Sequence, residues 1–229
     1  MRYSAKTMAS WSEQLKLDLI VKTLKEKGVY NPSFNIVGLR GVWFSKGKFQ
    51  VTKNALNFFN DCIILIKEIA GVPTVINAFA ATVDPGSYYD NYPLNEDGCA
   101  RLELGCYKNV YTIGPHGSDP RFIHRALRQS GNLTIRRDRG QDGSWKGDPV
   151  STDDDMYINI HGQPWMAGRE NENDIGRSSA ACQVIYLWSA FKEFMSEIDD
   201  SGLDRFSYSL FNGYAALASQ QDTGLLSDR

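Results

Sequence analysis

Apolar positions along the chain change period several times, and the changes divide it into short elements. Residues 10–27 place Leu15, Leu19, Lys22 and Leu24 near helical spacing, with Ser10 and Glu13 as a capping box and Gly28 as a stop. This stretch predicts an amphipathic helix. Asn31-Pro32 then breaks to an extended segment, Phe34 to Phe44, in which Gly38 and Gly41 are read as turns or bulges. The run Cys62 to Ile66 predicts a buried strand in a unit that ends at Pro73. Val75 to Val83 alternates and predicts another, closed by the turn Asp84-Pro85-Gly86. Tyr88 to Pro93 is too rich in Asn and Pro for regular structure and is read as a groove wall.

Short strands are expected at 100–113, 122–128 and 132–138, with turns at Pro115, Gly117, Gly131 and Gly143, followed by a polar loop over 139–155. Tyr157 to His161 predicts a strand, Val184 to Ile198 a helix stopped by Asp199-Asp200-Ser201-Gly202, and Phe206 to Phe211 a last strand. Many short strands with turn signals predict a mainly β domain, a sandwich or barrel, with one helix before it and one late in it: α+β overall. The organisation expected is a helical extension over 1–30, a β domain of catalytic type over 31–215, and a polar, frayed tail over 216–229.

At 229 residues and 42% hydrophobic the chain can bury a full core. A net charge of −2 from 25 basic and 27 acidic residues carries no electrostatic footprint for nucleic acid. The longest apolar run, Cys62 to Ile66, is far too short to span a membrane. The cysteines Cys62, Cys99, Cys106 and Cys182 lack C-x-x-C spacing, so no zinc site is expected. Cys99 and Cys106 could pair in an oxidising compartment; free thiols are the preferred reading, with Cys62 in the core. Asp138 to Pro149 has a faint likeness to a calcium loop. Gly140 stands at its third position and Pro149 at its twelfth, so we read a solvated acidic turn, and likewise for Asp153-Asp154-Asp155.

The most chemically suggestive stretch is Tyr157 to Ile185. It sets His161-Gly162 21 residues before Cys182, which closes the small-residue run Ser178-Ser179-Ala180-Ala181. A thiol attacks as the thiolate and needs a base or cation nearby, and small neighbours let a carbonyl approach. A helix starting just after Cys182 would lend its N-terminal dipole to the thiolate. The alternative is a buried cysteine in a tight turn beside an incidental histidine. Papain-like enzymes put the cysteine first, and caspases place the histidine about 50 residues earlier with a different signature, so neither order fits. His116, in Ile113-Gly114-Pro115-His116-Gly117, is a second candidate that would bind substrate or orient a group, although an exposed turn histidine is commoner. His124 is read as structural.

The His-Gly…Ser-x-x-Cys order resembles the catalytic motif of the L,D-transpeptidase family, which reads His-Gly, a variable loop, then Ser-x-Gly-Cys, a hydrophobic residue and Arg. His161-Gly162 matches the opening, Ser179 the serine and Cys182 the nucleophile; the ordered match spans about 30 of 229 residues. Two departures stand out. Ala181 occupies the family's Gly position, which matters if φ there is positive, and Gln183-Val184 replaces the hydrophobic-Arg pair, leaving Arg177 as a substitute cation. The blocks Gly38-Leu39-Arg40-Gly41, Thr82-Val83-Asp84-Pro85-Gly86, Leu104-Gly105-Cys106-Tyr107-Lys108 and Ile135-Arg136-Arg137-Asp138 look like those of uncharacterised phage and bacterial proteins ending in a similar motif with Gln after Cys.

The resemblance implies a β-sandwich and a cysteine enzyme that cleaves or crosslinks peptidoglycan stem peptides without a cofactor. Cys182 would be nucleophile, His161 base and Ser179 a further catalytic residue, with Ala181 and Cys182 N–H groups as oxyanion hole. Substrate contacts would come from Gly162, Arg177, Ser178, Ala181, Gln183, His116, Tyr89 and Trp165, with Tyr88 and Tyr92 as further groove aromatics. The implied partners are stem peptides and, for a virion component, other virion proteins. The opening MRYSAKTMASWSEQLKLD has no apolar core of secretory type, so synthesis in the cytoplasm with later release, or carriage in a virion, is expected. The other expectation is a virion or structural protein that keeps the fold without turnover.

Overall fold

The apolar run Cys62–Ile66 is continuous because both of its faces are covered. In the computed structural model, which describes residues 11–163, 174–217 and 224–227, it lies in β4 (Asp61–Ile69). β4 pairs with β5 (Val72–Thr82) in a long antiparallel hairpin turned by Ala70-Gly71. Ile63 and Leu65 point into one core, while Cys62, Ile64 and Ile66 point into another.

These strands belong to a closed barrel with the other staves β1 (Asn35–Arg40), β7 (Gly105–His116), β8 (His124–Gln129), β11 (Ile160–Gly162), β12 (Gln183–Ile185) and β13 (Phe206–Asn212). Around the barrel the order is β1-β13-β7-β8-β11-β12-β5-β4. The pairs β1–β13 and β11–β12 are parallel; the rest are antiparallel. Closure removes the open edges that a sheet of this length would otherwise expose. The fold is mainly β and barrel-like with a few helices, as the pattern of strands predicts.

Inside, Ile36, Leu65, Phe79, Tyr111, Leu127, Ile160, Tyr208 and Leu210 form one core with Phe191, Phe194 and Ile198 of α3 (Trp188–Asp200). α1 (Leu17–Glu26) lays Leu17, Ile20, Val21 and Leu24 against the outer faces of β1, β4 and β5. Each such side chain removed from water is worth about 1.5–3 kcal/mol. Trp11 joins this outer core through edge contacts with Phe44 and Phe49 of the hairpin β2 (Val42–Ser45)–β3 (Lys48–Val51). A small antiparallel sheet, β6 (Cys99–Leu102), β9 (Leu133–Asp138) and β10 (Val150–Asp153), is ordered β10-β9-β6. Among the described residues no helix is long and apolar enough to cross a membrane.

Several boundaries differ from the sequence reading. The helix expected over 10–27 is interrupted by a turn at 15–16, and Ser10, half of the capping box, lies outside the described residues. Pro73 does not end a unit; it sits within β5 opposite Glu68, near the hairpin tip where a missing N–H is tolerated. Gly38 is neither turn nor bulge but a registered residue of β1 opposite Leu210. Pro115 lies in β7, paired with Arg125, rather than in a turn. The stretch after Asp84-Pro85-Gly86 forms a short helix, α2 (Ser87–Asn91), and the loop expected over 139–155 contains β10. The helix after Cys182 begins at Trp188, not Val184, because Gln183-Val184-Ile185 is drawn into the barrel between β11 and β5.

Candidate functional site

Alternation along a strand places Asn159 and His161 on one face, and the parallel register Ile160↔Gln183, His161↔Val184 brings Cys182 level with Asn159. The Asn159 N–H donates to Cys182 Sγ at 3.4 Å, and the thiol donates to Tyr157 O at 3.5 Å. From β7 and β8, the pair His116↔His124 comes up beside them. His116 stacks on His161 with ring centroids 4.0 Å apart, and His124 stands edge-on to His116 at 5.3 Å. All three histidines of the chain therefore meet at one place.

These groups open onto a cavity of about 640 Å³ whose lining includes Cys182, His161, His116, Asn159, Tyr89 and Arg177. Arg128, His124, Tyr157, Ser178 and Ala180 also line it, as do Asp119 and Ser118. The Arg177 guanidinium lies over the Tyr88 ring, 3.9 Å from its centroid. Other expected site residues lie elsewhere. Gln183 is fully buried in the barrel, accepting from Tyr208 Oη at 2.9 Å and donating to Ala181 O at 3.1 Å. Gly162 presses against Phe191, where a Cβ would meet the ring at 2.7 Å, and its carbonyl accepts from His161 Nδ1 at 2.9 Å. Trp165 lies outside the described residues.

Ser179 shapes the cysteine loop from within. Its hydroxyl donates to Cys182 O at 2.8 Å and accepts the Ala181 N–H at 3.2 Å, so that N–H is already engaged. Ala181 has φ +143°, a backbone conformation that favours glycine, and its methyl is buried.

The loop is anchored to the turn Asp84-Pro85-Gly86, where Gly86 N donates to Ser179 O at 2.9 Å. Beneath that turn, Asp84 receives Arg40 Nε at 3.1 Å and Arg101 Nε at 2.8 Å. Burial drives Asp84 up, but the two guanidiniums outweigh it and hold the carboxyl below its ordinary value. Neighbouring Asp61 accepts N–H groups of Gly41 and Val83. Burial, then the charge of Asp84, push it up to about 7. Two of the sequence blocks named above, those of Arg40 and Asp84, thus converge on one buried ion cluster.

The thiol's environment reverses the expectation of a dipole-stabilised thiolate. Cys182 precedes α3 by six residues, and burial pushes its thiol up to about 11, only partly offset by the Asn159 N–H. His161 is held well below 6.5 by burial, then by His116. His116 is lowered to about 4 by burial, then by His124 and Arg128. Among the described residues Sγ and His161 share no hydrogen bond, so the resting pair is a neutral thiol and a neutral imidazole.

His124 and Asn159 are cavity residues that the motif reading passed over. Asn159 was legible, since it stands two residues before His161 on a strand; His124 arrives through the β7–β8 register, which the motif does not encode. Asp138, read as part of a solvated turn, is buried and accepts the N–H groups of Asp142 and Gly143. Among the described residues no group of three His, Cys, Asp or Glu is placed to hold a metal. No family model matches the chain, and no curated protein or solved structure is similar enough to match it.

Proposed function

We propose that this chain is a cysteine acyl-transfer enzyme of L,D-transpeptidase type that cleaves peptidoglycan stem peptides. The observation that carries the reading is the shared cavity. Cys182 Sγ, just before β12, and His161 of the neighbouring β11 open onto it, and the Nδ1–H of His161 is committed to Gly162 O, which leaves the Nε2 lone pair to act as base. As substrate closes on Cys182, the thiol proton passes to His161 Nε2 while Sγ attacks the acyl carbon. The leaving amine then takes that proton. Water, deprotonated by the same imidazole, attacks the thioester, the C–S bond breaks, and the departing thiolate takes the proton back from His161; an amine acceptor in water's place would give a crosslink. Arg177 and Arg128 supply positive charge for stem-peptide carboxylates. The left-handed φ at Ala181, where the family's motif has Gly, adds support to the resemblance.

The enzyme would meet its substrate after release from the cell that makes it or as part of a virion, beside other virion proteins. A second reading, a virion or structural protein that keeps the fold without turnover, is favoured by the high thiol pKa and the missing Sγ–imidazole hydrogen bond.

The deciding experiment is mass spectrometry of muropeptides from purified sacculi incubated with wild type, Cys182→Ala and His161→Ala. Loss of a terminal D-residue or cut crosslinks with wild type alone supports the enzyme. Unchanged muropeptides across several stem chemistries support the scaffold.

A further inference from the structure

The hydrogen bonds around the three clustered histidines place a proton on each imidazole. His161 Nδ1 lies 2.9 Å from Gly162 O and His124 Nδ1 lies 2.9 Å from Phe122 O. A carbonyl only accepts, so both rings carry hydrogen on Nδ1, and His161, held well below 6.5 by burial, keeps a lone pair on Nε2. His116 is different. Its Nδ1 faces Asn159 Nδ2 at 3.2 Å, and the Asn159 amide cannot be turned, because its Oδ1 accepts the Gln129 N–H at 2.9 Å. An NH₂ group only donates, so His116 Nδ1 holds the lone pair and its proton sits on Nε2. That Nε2–H has no partner among the described residues and belongs to a ring lining the Cys182 cavity.

We propose that His116 is the neutral oxyanion donor of this site: through Nε2–H, locked in that tautomer by Asn159, it stabilises the charge that forms on a carbonyl oxygen when Cys182 attacks. The inference rests on the reading of Cys182 as an acyl acceptor. It also fills a gap, since the Ala181 N–H expected in this role is engaged by Ser179. The electron balance is simple. Sγ gives a pair to the acyl carbon, its proton moves to His161 Nε2, the carbonyl π pair moves to oxygen, and that oxyanion accepts the His116 hydrogen bond. Collapse returns the pair, expels the leaving group and releases the bond. His161 and His116, stacked at 4.0 Å, thus present opposite Nε2 functions, one accepting and one donating. The ionisable and charged groups that share the cavity with His116 are Tyr89, Asp119, His124, Arg128, Tyr157, His161, Arg177 and Cys182. Burial, His124 and Arg128 keep the ring neutral down to about 4, so the donor is an uncharged imidazole near neutral pH.

Two measurements test this. Long-range proton–nitrogen correlation spectra of the wild-type imidazoles should show Nε2–H for His116 and Nδ1–H for His161 and His124. Finding His116 as Nδ1–H, or charged at neutral pH, overturns the proposal without any variant.

The second compares acylation of Cys182 by p-nitrophenyl acetate, which passes through an oxyanion, with alkylation by iodoacetamide, which does not. His116→Ala should slow acylation by about 10²-fold while leaving alkylation unchanged, and His116→Gln, which keeps an N–H, should recover part of the loss. His161→Ala should slow acylation through loss of the base. Equal changes in both reactions, no change in either, or a wild-type Cys182 that the ester does not acylate, overturn the proposal. Ester kinetics that follow the expectation beside unchanged sacculi would leave His116 as the donor and discard only the peptidoglycan substrate.

Discussion

Replacing Gly38 by alanine should damage the barrel through one side chain. A Cβ at Gly38 would lie 2.0 Å from Tyr208 Oη, 2.9 Å from its Cζ and 3.0 Å from Leu210 Cδ1. Tyr208 is fully buried and its hydroxyl donates to Gln183 Oε1 at 2.9 Å, so it cannot retreat without giving up that bond. Overpacking of this kind costs about 1–3 kcal/mol. An orphaned buried acceptor costs about 1–3 kcal/mol more. The sum, about 2–6 kcal/mol, is a large part of the roughly 5–15 kcal/mol that holds a typical domain together. Urea unfolding of Gly38→Ala, Tyr208→Phe and the double variant reads this out. Tyr208→Phe alone should cost about 1–3 kcal/mol by stranding Gln183. In the double variant the hydroxyl is gone, the ring Cζ and Leu210 contacts remain, and the combined loss should fall short of additivity by at least about 1 kcal/mol. A Gly38→Ala loss under about 1 kcal/mol, or strict additivity, would refute the steric chain drawn here.

Three further outcomes follow from the site and its support. With its thiol pushed up to about 11, Cys182 should react with iodoacetamide at a rate that climbs steadily through neutral pH; a plateau below about pH 8 would contradict the buried thiol. Asp61 holds a proton in the folded state up to about 7 but only to its ordinary 3.8 when unfolded, so its contribution to stability falls as pH rises through that window. His116 and His161 act in the opposite sense below about 6.5, so the difference in Tm between wild type and Asp61→Asn isolates the carboxyl. A difference that stays flat from about pH 4 to 7 would show that Asp61 is not raised. Ala181→Gly relieves about 1–3 kcal/mol of left-handed strain against about 0.8 kcal/mol for a lost methyl and about 0.5–1 kcal/mol for chain freedom. Its stability should therefore stay within about 1 kcal/mol of wild type or exceed it, and calorimetry showing a loss above about 2 kcal/mol would rule out the strain.

What could be read from sequence tracks how local the cause is. β4, β5 and β13 are legible because their apolar runs are long enough to bury both faces or alternate cleanly, whereas the one strand expected over 100–113 is two, β6 in the small sheet and β7 in the barrel. β11, expected over Tyr157 to His161, is the shorter and later Ile160–Gly162, and β12 has three residues, too few for periodicity to declare itself, so Val184-Ile185 reads as the start of the following helix. That misplacement carried the dipole argument for Cys182 with it. The site splits the same way. Cys182 and His161 stand out by motif, whereas the contact between His116 and His124 depends on a hairpin register set by residues far from either. Ser179 and Gln183 flank the cysteine in sequence, yet their side chains turn into the protein, one to fold the loop and the other to fill the barrel.

The two shortest staves are also the ones that carry the cavity. Of the registered pairs, only Ile160↔Leu127 ties β11 to β8, and only Val184↔Thr82 and Ile185↔Ala81 tie β12 to β5, whereas β4 and β5 are laced from Asp61↔Ala81 to Ile69↔Val72. The barrel is therefore most thinly laced beside Cys182, and sub-global opening of that seam should need less free energy than opening of the β4–β5 hairpin. A molecule seated across that seam would act as a rivet. Its binding should register first as slowed amide exchange at Asn159 to Gly162 and Cys182 to Ile185, before any change appears in the hairpin on the far wall.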